Sequence, residues 1–260
     1  MQSIVLNVTT FSAFQIDLKF NDIVLATGTA FFTSAGKRVL LVTNKHNVTG
    51  RNSETGECLE KHAAVPNIMS VLIPITSPKK EGFICSHWQR YDIPLYINGD
   101  EERPAWVEHP DSLVDLVGFK FNPPEINIKN LVLPADGTDL PMQVCNRVNV
   151  IGYPFGVSTD NFPIWSTGYI ASEPTIDVNG KPLLYIDSRT RQGQSGSPVV
   201  RFFHPGETVY MDGNSYMAKK PQVYLLGIYS GRIRRESDIG MVWKKKAIIE
   251  LFESAENTKI

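Results

Sequence analysis

The sequence predicts an all-β protein built as a pair of barrels with one C-terminal α-helix, and three observations lead there. Short runs of strand length, apolar or alternating, recur along the whole chain between Gly, Pro, Asn and Asp turns. A helical period shows only at the end, where Ala247, Ile248, Leu251 and Phe252 form one apolar stripe. Between two sets of strands, residues 122–142 carry Pro123-Pro124, Pro134, Asp136-Gly137 and Pro141 around a short apolar run, the composition of a connector. The expected division is an N-terminal barrel over 1–125, a connector over 126–142 and a C-terminal barrel with the terminal helix over 143–260.

In chain order, strands are expected at Phe14 to Phe20, Ile23 to Thr33 and Arg38 to Thr43, parted by Asn21-Asp22 and Ser34-Ala35-Gly36. Val39-Leu40-Leu41-Val42 is a continuous apolar run, as in a strand buried on both faces, and it delivers His46 just past its end. Residues 51–65 are polar and read as a surface excursion. Strands resume at Ile68 to Ile75, Gly82 to Cys85 and Tyr91 to Ile97, and Asp115 falls early in a further strand. The second half adds Gln143 to Tyr153, Ile164 to Ser172, Leu183 to Asp187, Val199 to Phe203 and Gln222 to Tyr229. Asn179-Gly180 predicts a hairpin between Thr175 to Val178 and Leu183 to Ile186. The helix is expected from Lys244 on.

With 260 residues, 42% hydrophobic and 20% charged, the chain has ample material for a core. A net charge of −1 removes any global electrostatic case for nucleic acid or membrane as partner. The basic clusters Arg232, Arg234, Arg235 and Lys244 to Lys246 read as solvated faces. Cys58, Cys85 and Cys145 cannot all pair and show no metal-ligand spacing, so reduced thiols are expected. Met1 to Phe14 lacks a basic and then apolar leader, and a cytoplasmic location follows as the expectation. No cofactor or metal motif is present.

The chemistry centres on Gly193-Gln194-Ser195-Gly196-Ser197-Pro198. Two glycines around a serine allow a tight turn that exposes the hydroxyl, and the N–H groups of Gly193 and Ser195 could serve one developing oxyanion. The same hexapeptide also reads as a plain turn before a strand. A serine nucleophile needs a base, and the base needs a carboxylate to hold its tautomer. Of five histidines, only His46 follows a buried strand able to hold it rigidly; His62, His87, His109 and His204 lie in polar excursions or beside prolines. Asp115 is the preferred acid, and Asp111, beside Pro110, is the alternative and reads as a turn residue. An α/β-hydrolase is excluded by chain order and by the missing second glycine of G-x-S-x-G.

The order His46, Asp115, Ser195 resembles that of chymotrypsin-like serine peptidases. Gly28-Thr29-Ala30-Phe31 with Leu41-Val42-Thr43-Asn44-Lys45-His46-Asn47-Val48 resembles their G-T-x-F and L-V-T-x-x-H-x-V blocks. Val114-Asp115-Leu116-Val117 resembles their aspartate strand. Gly152-Tyr153-Pro154-Phe155-Gly156 is similar to a turn of the high-temperature-requirement proteases, and Gly193 to Val199 to the serine block of glutamyl endopeptidases. The resemblance implies two six-stranded antiparallel barrels, a serine endopeptidase with the triad His46, Asp115 and Ser195, and an oxyanion hole at Gly193 and Ser195. It also implies a substrate pocket at Arg189, Thr190, Tyr229, Ser230 and Gly231.

Departures from the family are informative. Gln194 replaces the aspartate that receives a freed N-terminal amine in secreted trypsins, so activation of that type is not expected, and no second module is expected before Ile260. Protein or peptide substrates and an activating or regulatory partner are expected, the insertion 51–65 covering the cleft or receiving that partner. Without an aspartate at the pocket base, cleavage after Lys or Arg is disfavoured and a polar or acidic P1 residue is favoured, with Arg189 as its counter-ion. The competing functions are a peptide-binding module without catalysis and an esterase.

Overall fold

The computed structural model describes residues 7–53, 55–79, 82–211, 213–234 and 236–257. The N-terminal half is one sheet. It contains β1 (Phe14–Phe20), β2 (Ile23–Ala35) and β3 (Arg38–Thr43), then the one-turn helix α1 (Lys45–Thr49), then β4 (Ile68–Lys79), β5 (Gly82–Pro94), β6 (Val107–Glu108), β7 (Val117–Phe119) and β8 (Val132–Pro134). Its order is β5-β4-β1-β2-β3-β7-β6, with β8 attached to β2, and its pairing leaves the eight strands open. The β1–β2 turn places Asn21 at φ +52, a left-handed position that asparagine tolerates. Leu40, Leu41 and Val42 of β3 are buried, as a doubly covered strand requires.

Two expectations change here. Gly82–Pro94 is a single strand, because β4 pairs with it from Ile68↔Pro94 to Lys79↔Gly82 and carries it through the polar stretch Ser86 to Arg90. That stretch belongs to the edge strand, where polar side chains are normal. The proline-bearing stretch 122–142 contains β8, which pairs in parallel with β2 through Phe32↔Val132, Thr33↔Leu133 and Ser34↔Pro134.

The C-terminal half consists of β9 (Arg147–Gly152), β10 (Ile164–Ile170), β11 (Leu183–Ser188), β12 (Pro198–Phe203), β13 (Thr208–Met211), β14 (Asn214–Met217), β15 (Gln222–Arg232), β16 (Ile239–Lys244) and the helix α2 (Lys245–Asn257). Six of these close a barrel in the order β10-β11-β16-β15-β12-β9. Strand β16 had no counterpart in the sequence reading, and Lys244 is its last residue instead of the first of the helix. The small hairpin β13–β14 was likewise not expected. Asn179 and Gly180 do make a turn, at φ +52 and φ +73, but beyond it only the isolated bridge Val178↔Lys181 forms and no strand precedes it.

Four apolar clusters form among the described residues, the smallest around Leu140, Phe203, Val209 and Ala218. One lies within the N-terminal sheet around Phe14, Phe32, Leu41 and Met69, and one inside the barrel around Val148, Leu184, Val199 and Leu226. The third joins Phe31, Val42 and Leu116 of the first half to Ile151, Leu225 and Trp243 of the second, with Ala247, Ile248, Leu251, Phe252 and Ala255 of α2 among them. Each large side chain buried there contributes about 1.5–3 kcal/mol. The stripe expected from the sequence is thus the face that clamps the two halves.

Candidate active site

Asp115 lies in the loop two residues before β7, not in a strand as expected, and is 1% exposed. One carboxylate serves three donors. Oδ1 accepts the backbone N–H of His46 at 2.8 Å, Oδ2 lies 2.6 Å from His46 Nδ1, and Oδ2 also accepts the Ser230 hydroxyl at 2.7 Å. The carboxylate beside Nδ1 assigns the proton to that nitrogen and leaves Nε2 as the acceptor. Helix α1 brings His46 there because β3 ends at Thr43 and Asn44 starts the turn, its Nδ2 donating to the Asp115 carbonyl at 2.8 Å. Burial of His46 works to lower its pKa, but the Asp115 charge and hydrogen bond outweigh it and hold the imidazole above its ordinary 6.5.

Asp111 is exposed and closes its own turn, Oδ1 accepting the Leu113 N–H at 2.9 Å. It makes no bond to His46.

The serine loop is held from both halves. The Ser195 carbonyl accepts the Thr29 N–H at 2.9 Å and Asn47 Nδ2 at 3.1 Å, and the Gly193 carbonyl accepts the Thr29 hydroxyl at 2.9 Å. Gly193 and Gly196 sit at φ +92 and φ +87, and a Cβ at Gly196 would collide with the Thr29 carbonyl and the Thr43 hydroxyl. The Gln192 carbonyl is taken by the Phe155 N–H at 2.6 Å, which turns the Gly193 N–H the other way. Among the described residues no group accepts from the N–H of Gly193 or of Ser195. Buried Gln194 braces the loop, its Oε1 accepting the Arg191 N–H at 2.7 Å and its Nε2 donating to Ser166 Oγ at 3.0 Å. The Ser195 hydroxyl donates to the Ser230 carbonyl at 2.9 Å.

Two clefts of about 330 and 460 Å³ run from this point, both lined by His46 and by the insertion residue Leu59, one also by Glu60 and Ala64, the other by Asn52 and Ser53. A smaller pocket of about 210 Å³ opens beside Ser195 against Tyr229 and Gly231. Tyr229 is a buried lining residue, its hydroxyl 2.5 Å from that of buried Thr190; of the other expected pocket residues, Thr190 does not line this pocket and Ser230 lines the larger cleft instead. Burial pushes the Tyr229 phenol up to about 12, against the Thr190 hydrogen bond and the Arg232 and Arg191 charges, so it is neutral.

Arg189 is exposed and does not line this pocket. Its place as a basic group is taken by Arg191, Arg232 and Arg234. Arg232 is half-buried and Arg234 exposed, as a solvated face requires, and both line this pocket; Arg235 lies outside the described residues. Lys244, the first of the other cluster, is 9% exposed and pairs with Asp177 at 2.6 Å. The bonds of Ser230 and Asn44 to Asp115 carry no sequence signal, because each joins residues far apart along the chain. Among the described residues no cluster of His, Cys, Asp or Glu is placed to hold a metal ion.

A closed β-barrel packed on a second sheet, with histidine, aspartate and a glycine-flanked serine gathered where they meet, defines a class of hydrolases. The sequence profile described as "Trypsin-like peptidase domain" matches residues 28–209, and the chain belongs to that family. It is a trypsin-like serine protease. A thermostable serine protease, AL20, from an extremophilic microorganism shares the fold at TM-score 0.54 and 9% identity, covering 97% of this chain and 100% of the other. A serine endoprotease from Yersinia pestis superposes at TM-score 0.53 and 15% identity, over 96% of this chain and 67% of the other. The active form of the Rv3671c protease from M. tuberculosis does so at 0.50 and 17%, over 96% and 83%. No curated protein matches the sequence. No helix among the described residues is long and apolar enough to cross a membrane.

Proposed function

We propose that this serine protease is an endopeptidase that works through an acyl-enzyme, with Ser195 as nucleophile, His46 as general base and Asp115 as the group that orients it. The contact of 2.6 Å between His46 Nδ1 and Asp115 Oδ2 carries the reading, because it leaves Nε2 free to accept a proton. In this mechanism the Ser195 hydroxyl leaves the Ser230 carbonyl for Nε2 of His46, which lines the same cleft. As Oγ attacks the scissile carbonyl carbon, its proton passes to Nε2 and the carbonyl electrons become an oxyanion facing the N–H groups of Gly193 and Ser195. Nε2 then gives its proton to the leaving amine, and water releases the acyl group by the same route in reverse.

The same reading takes the N-terminal sheet as the counterpart of the closed barrel, with the expected units 1–125 and 143–260 kept and the expected connector 126–142 lending β8 to the first of them. Three free cysteines support a cytoplasmic location. A substrate strand lies along Ser230 and Gly231. A regulatory partner is part of the proposal, and it rests on the resting position of the Ser195 hydroxyl on Ser230 and on the insertion residues that wall both clefts. That position also favours the second reading, a peptide-binding module in which Ser195 does no chemistry.

A fluorophosphonate probe distinguishes the two. The wild type labels at Ser195 and cleaves members of a peptide library, and Ser195→Ala does neither. Absence of labelling and of cleavage in the wild type, with Ser195→Ala binding peptides as well as the wild type does, would leave the binding module.

A further inference from the structure

We propose that the pocket beside Ser195 takes an acidic P1 side chain, aspartate or glutamate, and that Arg232 and Arg234 select it. The proposal rests on the endopeptidase reading above. The pocket's charged wall is wholly basic, formed by Arg191, Arg232 and Arg234, and no carboxylate is among its lining groups. The one buried tyrosine of its lining, Tyr229, is a neutral phenol bonded to the Thr190 hydroxyl. A lysine or arginine entering would meet like charges on the wall and find no anion to pair with.

The three guanidinium groups are not equivalent. Arg191 is engaged, its Nη1 donating to the Thr190 carbonyl at 2.7 Å and to Asp238 Oδ1 at 3.0 Å. Arg232 and Arg234 form no ion pair among the described residues, whereas Asp238 is held by Arg191 and Glu236 is exposed. Their charge is therefore available to a ligand. Arg232 is the last residue of β15 and follows Ser230 and Gly231 directly, so it stands on the strand whose carbonyl touches the Ser195 hydroxyl. Gly231 adds no side chain at the mouth, and a Cβ there would meet nothing within 4 Å, so the entrance stays open. A guanidinium presents paired N–H donors that match the two oxygens of a carboxylate, which is the geometry that distinguishes an acidic side chain from an amide.

The experiment is a peptide library varied at P1 and followed by kcat/KM for single peptides with Glu, Asp, Gln, Ala and Lys at P1, read on the full chain and on Arg232→Gln, Arg234→Gln and Arg232→Lys. The wild type is expected to cleave after Glu or Asp in preference to Gln or Ala and least after Lys. Arg232→Gln lowers kcat/KM for the acidic peptides by about 10- to 100-fold relative to Ala, the scale of one hydrogen bond to a charged group, and Arg232→Lys retains part of the preference. Arg234→Gln, at an exposed position that tolerates the change, gives the same direction with a smaller fall. Cleavage dominated by apolar or basic P1 residues, or an acidic preference that survives both Gln substitutions, overturns the proposal while leaving the endopeptidase intact. A wild type that cleaves no library member and resists fluorophosphonate overturns the endopeptidase reading and the pocket assignment with it.

Discussion

The Ser230 hydroxyl donates to Asp115 Oδ2 at 2.7 Å, tying β15 of the barrel to the loop that precedes β7 of the N-terminal sheet. The same oxygen faces His46 Nδ1 at 2.6 Å, while the Ser230 carbonyl holds the Ser195 hydroxyl at 2.9 Å. One residue of β15 therefore touches both Asp115 and Ser195, and the Asp115 carboxylate is held toward the imidazole from two sides.

Removing that tie tests it directly. Ser230→Ala deletes a buried hydrogen bond to a charged group, about 1.5–3 kcal/mol, and is expected to lower kcat/KM by about 10- to 100-fold with the fold intact. Steady-state kinetics beside a thermal melt would separate the two effects. An unchanged kcat/KM would show that the bond does not orient His46.

The acid itself should be far more sensitive. In serine proteases the Asp to Asn change at this place costs about 10⁴ in kcat, because the imidazole is held in the wrong tautomer. Asp115→Asn is expected to fall by a similar order, and Asp111→Asn, which only loses its own turn to Leu113, should change the rate little. Equal losses in the two variants would be incompatible with Asp115 as the orienting group.

The pH profile follows from the His46 environment. As the proposed base His46 works only unprotonated, so kcat/KM is expected to rise with pH, with a midpoint above 6.5 because Asp115 raises the imidazole. The stability sign runs oppositely: a raised native pKa adds stability that is present below the unfolded value of about 6.5 and is lost as pH climbs through the folded value. A profile flat from about pH 5 to 8 would take His46 out of the mechanism.

Gly196 is the backbone test. At φ +87, with the Thr29 carbonyl and Thr43 hydroxyl against the place of a Cβ, Gly196→Ala is strained by about 1–3 kcal/mol before the collision is counted. A lower Tm is expected, with activity reduced in the fraction that folds. A Tm equal to that of the wild type would mean that the loop yields more easily than its bonds to Thr29 imply.

Local pattern made much of the fold legible. The strands β1, β2 and β3 begin where alternation and turn residues put them, and the α2 stripe is the face buried between the halves. Strand β16 escaped because Met241-Val242-Trp243 runs straight into lysines that suit a helix, and only pairing with β11 and β15 makes it a strand. The break expected within Gly82–Pro94 vanished for the same reason, since β4 supplies hydrogen bonds that the polar stretch itself does not announce.

By itself the sequence determined the residue types of the site and their order, the glycines that only a left-handed loop requires, and an apolar content sufficient for two packed layers. The tertiary structure alone decided which partners those residues meet. His46 and Asp115 are brought within 2.6 Å across the sheet, Ser230 reaches the same carboxylate from the barrel, and Arg232 and Arg234 take the place expected of Arg189 at the pocket. The physical reason is that propensity and periodicity act over a few neighbours, whereas these contacts join segments up to more than a hundred residues apart and exist only once both halves close around a common core.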